Sequence, residues 1–145
     1  MKALCPNIAD SNHRVTSPET SAYNCVGWVL GDEQRWWEPT SSEQYFWPTE
    51  RSEDYSIESY VEMFREEGFE VCEGSAVEPG FEKIALYVMD GEFMHVALQL
   101  PSGRWTSKLG GWEDIEHDTL EVLQGPDYGS PRHFMKREQA QPPLL

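Results

Sequence analysis

A chain of 145 residues with a formal net charge of −15, from 26 acidic and 11 basic side chains, is sized for one domain around one core. Its 39% hydrophobic and 12% aromatic residues can build that core, which excludes wholesale disorder. The negative field disfavours direct binding of nucleic acid and favours basic partners.

No apolar run approaches the roughly 18 residues of a membrane helix. The opening MKALCPNIADSN has no apolar stretch of signal-peptide length. The expected location is the cytoplasm, or outside the cell by a route that leaves no such signal, with no membrane partner. The three cysteines, Cys5, Cys25 and Cys72, cannot close a disulfide set and read as reduced thiols. No C-x-x-C spacing, phosphate loop or repeat is present, and His13, His95, His117 and His133 are scattered. No metal site or cofactor is expected.

Residues 1–20 are polar and proline-containing and read as an irregular arm. The segment from Asn24 to Leu30 is a short helix, with Asn24 as N-cap and Gly31 at C′. The stretch from Gly31 to Tyr55 is rich in turn formers and tryptophan and reads as a long ordered loop. In SIESYVEMFREEG, Ile57, Tyr60, Val61 and Phe64 form one helical stripe, capped by Ser56 and ended by Gly68. FEVCE is a short alternating strand.

KIALYVM is apolar on both faces and reads as a central strand. Asp90-Gly91 is a two-residue hairpin turn, returning through FMHVALQL. PSG turns the chain into a third strand, RWTSKL. DIEHDTLEVLQG holds a helical turn, PDYGS a turn, PRHFMKR a last strand, and residues 138–145 a loose tail. Helices followed by an antiparallel meander make an α+β layout, with a single domain over 21–137.

Cys25 follows the N-cap directly. Free N–H groups and the dipole at a helix start favour a thiolate and can hold an oxyanion. Asn24 adjoins that position. Gly27 would let the helix approach the sheet closely. The alternative is a small core thiol, a common place for free cysteine. Strict alternation puts Phe93, His95, Ala97 and Gln99 on one face of their strand and Met94, Val96, Leu98 and Leu100 on the other. A histidine opposite the cysteine can take and return its proton.

The group that would orient that imidazole depends on register. Pairing of Leu100 with Arg104 brings Trp105 and Ser107 to the His95 face, whereas pairing of Pro101 with Arg104 brings Thr106 and Lys108. Lysine is a poor partner for an imidazolium, which favours Ser107. Lys108 and His117 are supporting candidates, the latter with Asp114 on a loop that could fold back. Trp36 and Trp37, with Tyr45, Phe46 and Trp47, form either a wall of a substrate cleft or packing against the core. The acidic runs ERSED and REEGFE are solvated faces that would also attract a basic substrate.

Cysteine at a helix start, histidine on a sheet strand and a polar group on the next strand resemble the papain-like cysteine peptidases, especially the small bacterial amidases that act on cell-wall peptides. The chain is also similar to a small uncharacterised bacterial family of that fold. The shared motifs are Asn24-Cys25 with Trp28, Trp36-Trp37, Trp47-Pro48, His95, GRWTSKLG from Gly103 to Gly110, Ile115 to His117, and Tyr128-Gly129, over residues 21–137. The resemblance implies Cys25 as nucleophile and His95 as base.

It does not transmit a substrate. No glutamine is evident before the nucleophile, and no asparagine or aspartate follows His95 on the next strand. The expected function is therefore a cysteine-dependent hydrolase or acyl transferase acting on an amide bond of a peptide or protein. The alternative is a catalytically inactive binding protein on the same fold: an inhibitor, immunity protein or accessory subunit. An acidic mimic of nucleic acid rests on charge alone.

Overall fold

A computed structural model describes residues 5–9, 11–39, 45–48 and 54–139. Most of the ERSED run and the tail beyond Gln139 lie outside the described residues. The architecture is α+β: a seven-stranded antiparallel sheet with two helices on one face. The strands are β1 (His13–Ser17), β2 (Glu70–Cys72), β3 (Phe81–Met89), β4 (Glu92–Gln99), β5 (Trp105–Lys108), β6 (Asp114–His117) and β7 (Ser130–Glu138), in the order β1-β6-β5-β4-β3-β7-β2. The helices are α1 (Cys25–Val29) and α2 (Ile57–Glu66). Among the described residues no helix is long and apolar enough to cross a membrane.

Both helices end as their glycines dictate. At Gly31, φ is +76°, and the Asp32 and Gly31 N–H groups donate to the Gly27 and Trp28 carbonyls. At Gly68, φ is +99°, with Phe69 and Gly68 donating to Phe64 and Arg65. These are paired terminal bonds of the Schellman type, which satisfy carbonyls the helix leaves free. At the second, the ring of Phe69 meets Phe64 edge-on at 5.8 Å. The Asp90-Gly91 turn has φ of 53° and 80°, the double positive φ of a type I′ hairpin.

The sheet separates two cores. The helix-covered core holds Cys25, Val26, Tyr60, Met63, Phe64, Ile84, Leu86 and Val96. On the other face Cys5, Ile8, Ala85, Tyr87, Trp105, Ile115 and the 3-10 turn Leu120–Leu123 pack together.

Here three sequence expectations are corrected. The arm is not irregular throughout: β1 pairs antiparallel with β6, and Cys5 and Ile8 are core residues. Asp114 and His117 lie on strand β6 rather than on a loop, so the helical turn begins only at Leu120. The last strand does not extend the meander; β7 crosses back to insert between β3 and β2.

One irregularity matters for the site. Tyr87 pairs with His95 but Val88 pairs with Phe93, so Met94 is an extra residue in β4. Such a bulge shifts side chains between faces. Phe93 joins the helix-side core with Val96, and Met94 packs against the other one, the reverse of strict alternation.

Candidate functional site

Cys25 is the first residue of α1, held there by Asn24. The Asn24 Oδ1 accepts from the Gly27 N–H (3.2 Å) and the Trp37 N–H (3.1 Å), and its Nδ2 donates to the Trp37 carbonyl (2.7 Å). One side chain thus caps the helix and ties the tryptophan segment to its start. Asn24 is a fastening more than a free oxyanion donor. Gly27 is required because a Cβ there would lie 2.7 Å from the Asp32 carbonyl oxygen and 2.9 Å from that of Arg35. The close approach is to the loop after the helix, not to the sheet.

A cavity of about 170 Å³ opens at this helix start. It is lined from both cores: Cys25, Tyr60 and Phe93 from the helix side, Met94 and Tyr128 from the other, together with His95, Asn24, Trp36, Glu38, Tyr55 and Gly110. The bulge at Met94 lets one stretch of β4 line it with three consecutive residues. The His95 ring stacks on Tyr128 (4.7 Å between centroids, 18°) and meets Tyr87 at 5.3 Å. Its Nε2 is buried and makes no hydrogen bond.

Neither reactive group is charged at rest. Burial pushes the Cys25 thiol up to about 11, against the opposing pull of the Val96, Val26 and Cys25 N–H groups and the Lys108 charge. The expectation of a lowered thiol pKa is corrected: a five-residue helix offers little dipole against complete desolvation. Burial, and then the neighbouring His117, lower His95 to about 3. Among the described residues no hydrogen bond joins Cys25 to His95. The site holds a neutral thiol and a neutral imidazole around one small cavity.

The favoured register holds: Leu98 pairs with Thr106 and Gln99 with Trp105, which extends to Leu100 opposite Arg104. Ser107 is on the His95 side of the sheet as expected, but its hydroxyl is turned to another histidine. His117 Nδ1 lies 2.9 Å from the Thr119 carbonyl, an acceptor, so that nitrogen carries the proton. Nε2 then accepts from the Ser107 hydroxyl at 2.8 Å. Ser107 is thus the partner of His117 and not of His95, and neither lines the cavity. Lys108 does not reach the cavity either. Its Nζ donates to the carbonyls of Thr20 (2.7 Å), Gly110 (2.5 Å) and Trp112 (2.5 Å), which ties the loops around β5 together.

The two tryptophans part company. Trp36 lines the cavity and donates from Nε1 to Glu38 at 2.8 Å. Trp37 is 3% exposed, donates to Asp32 and packs edge-on against Phe46, so it is core. Sequence reasoning missed Glu38, Tyr55, Tyr60 and Tyr128 as lining groups. Tyr60 was visible only as a member of the α2 stripe, and Tyr128 only through its Tyr-Gly motif. Among the described residues no three histidine, cysteine or carboxylate side chains converge to hold a metal.

A family model described as "Domain of unknown function (DUF7689)" matches residues 14–136. The chain belongs to the DUF7689 family. The matched span runs from β1 into β7 and contains every residue lining the cavity, while Cys5 and Ile8 of the second core precede it. No curated protein and no solved structure matches the chain.

Proposed function

We propose that this DUF7689 domain is a cysteine-dependent hydrolase or acyl transferase of papain-like design, acting on an amide bond of a peptide or protein. The carrying observation is the cavity that Cys25 and His95 line together, with the unpartnered Nε2 of the histidine. An α+β domain in which a helix beginning at a cysteine packs on an antiparallel sheet bearing a histidine supports the papain-like reading.

In this reading the imidazole, neutral over the physiological range, takes the thiol proton as Cys25 attacks the amide carbon. The N–H groups that lower the thiol pKa lie beside the sulfur, where charge develops. The protonated imidazole then returns the proton to the leaving nitrogen. Water or an amine releases the acyl group, giving hydrolysis or transfer. Ser107, Lys108 and His117 hold strands and loops in this scheme and touch no substrate.

A second reading is favoured by the missing Cys25–His95 bond and the raised thiol: a binding protein on the same scaffold without chemistry. The two separate on labelling of Cys25 by an electrophilic peptide compared with iodoacetamide, followed by mass spectrometry over pH. The enzyme reading expects peptide labelling to exceed iodoacetamide labelling and to fall by orders of magnitude in His95→Ala. Equal, slow labelling by both reagents, indifferent to His95, would leave the binding reading.

A further inference from the structure

Among the described residues, the one carboxylate lining the cavity has no cationic partner. Glu38 Oε1 accepts from the Trp36 Nε1–H at 2.8 Å, and Oε2 from the Tyr55 hydroxyl at 2.7 Å. These bonds fix the carboxylate in place without neutralising it, and each oxygen retains a lone pair. Among the described residues no lysine, arginine or histidine pairs with it. The nearest basic side chain in sequence, Arg35, is turned to Asp32 at 2.6 Å and lies over the Phe46 ring at 3.8 Å. Lys108 is spent on three carbonyls.

The rest of the wall is aromatic. Trp36, Tyr60, Phe93 and Tyr128 present ring surface, and His95 adds no charge. An anionic group entering here meets fixed negative charge in a chain of net charge −15. A neutral apolar group would strip water from the carboxylate and return nothing. A cation gains both the carboxylate and the ring faces.

We infer that the cavity takes an ammonium group of the substrate, an amino terminus or a lysine head, and that Glu38 is the residue that selects it. This rests on the Cys25–His95 reading for the position of the reacting bond, but the charge preference is testable without catalysis. The volume, about 170 Å³, admits an ammonium and a few methylenes beside the sulfur.

The test uses the full chain and three methanethiosulfonates: trimethylammonium-ethyl, sulfonatoethyl and uncharged methyl. Each forms a mixed disulfide with the cysteine thiolate and releases methanesulfinate, and rates at each cysteine are read by mass spectrometry. The cationic reagent is expected to outrun the anionic one at Cys25, and Glu38→Gln to cut that ratio about tenfold, the scale of one nearby charge. The ratio at Cys72, on the β2 edge, reports the charge of the whole chain and stays unchanged. The uncharged reagent shows whether the variant has merely opened the cavity.

In the unaltered chain, methylammonium should slow labelling of Cys25 by the uncharged reagent, and acetate should not. A Cys25 ratio indifferent to Glu38→Gln, no protection by methylammonium, or no labelling of Cys25 in the folded protein would each overturn the inference. Failure of the catalytic reading looks different: labelling rates indifferent to His95→Ala, with the charge ratio intact.

Discussion

On the helix side of the sheet, α1 and α2 lay aliphatic and aromatic side chains onto Ile84, Leu86 and Val96, and the buried polar groups there include Asn24, Thr106, Lys108 and Asp114. On the other side the cover is an arm, a 3-10 turn and one tyrosine, and beneath it lie His95, Ser107 and His117, all at most 1% exposed. Both faces combine area with directed hydrogen bonds, such as Trp28 to Thr106 on the first and Ser107 to His117 on the second, but only the second buries imidazoles. Burying polar groups is tolerable only where each finds a partner. Ser107 and His117 meet that condition, and His95 Nε2 does not. A buried imidazole nitrogen without a partner, beside a cavity, marks where folding alone does not account for the residue.

The largest test of the contrast is truncation in each core. Phe64→Ala should cost about 3–5 kcal/mol, since it removes a fully buried ring from the contact of α2 with the sheet. Ile8→Ala should cost about 2 kcal/mol, the low end for such a change, because the arm can settle into the space. Urea unfolding of both variants decides. Equal losses would mean that the arm is as firmly built in as the helix.

Acidification should act mainly through the face that buries the two histidines. His95 is lowered to about 3 and His117 to about 4, first by burial. An unfolded histidine titrates near 6.5. Between those values the unfolded chain binds more protons, so stability is complete above about pH 6.5 and falls as pH drops toward 4. Each histidine contributes a slope of about 1.4 kcal/mol per pH unit in that window. The carboxylates of Glu116 and Glu78 are held low chiefly by their hydrogen bonds, to Arg14 and Arg104 and to Lys136 and Lys83, and lose their share at lower pH. Unfolding monitored from pH 7 to 5 should therefore show the slope, and His117→Asn should about halve it. A flat profile in the unaltered chain would mean that both imidazoles reach water, and half the slope that one does.

The helix side was also the legible side. The stripe Ile57, Tyr60, Val61, Phe64 and the two terminal glycines fix α2 and its end by period and by φ. Asn24 and Gly31 do the same for α1, and Asp90-Gly91 for the hairpin. The histidine side was not legible, for physical reasons. β1 is an edge strand with three exposed residues in HRVTS, so no buried period marks it. The bulge at Met94 adds one residue without any local signal and reverses the faces before His95. Ser107 was placed on the correct side of the sheet by register, but the choice of His117 as its partner depends on β6 pairing, which sequence spacing does not encode. The long-range tie from Asn24 to Trp37 is invisible for the same reason, and it decides that Trp37 is core while Trp36 faces the cavity.

The smallest expected effect separates support from chemistry. Ser107→Ala removes the hydroxyl that His117 Nε2 accepts from and leaves that nitrogen buried without a donor, at a cost of about 1–2 kcal/mol. His117→Phe removes the other partner, and the double variant should cost less than the sum of the two, because the orphaned group is gone. If Ser107 and His117 only support the sheet, labelling of Cys25 by the electrophilic peptide keeps its rate and its pH profile in Ser107→Ala once stability is matched. A displaced pH profile at Cys25 would instead tie this pair to His95, whose charged form His117 already disfavours. The buried Ser107–His117 pair would then act on the cavity through His95, and Ser107 would be a positioning residue, although it is bonded to a different histidine.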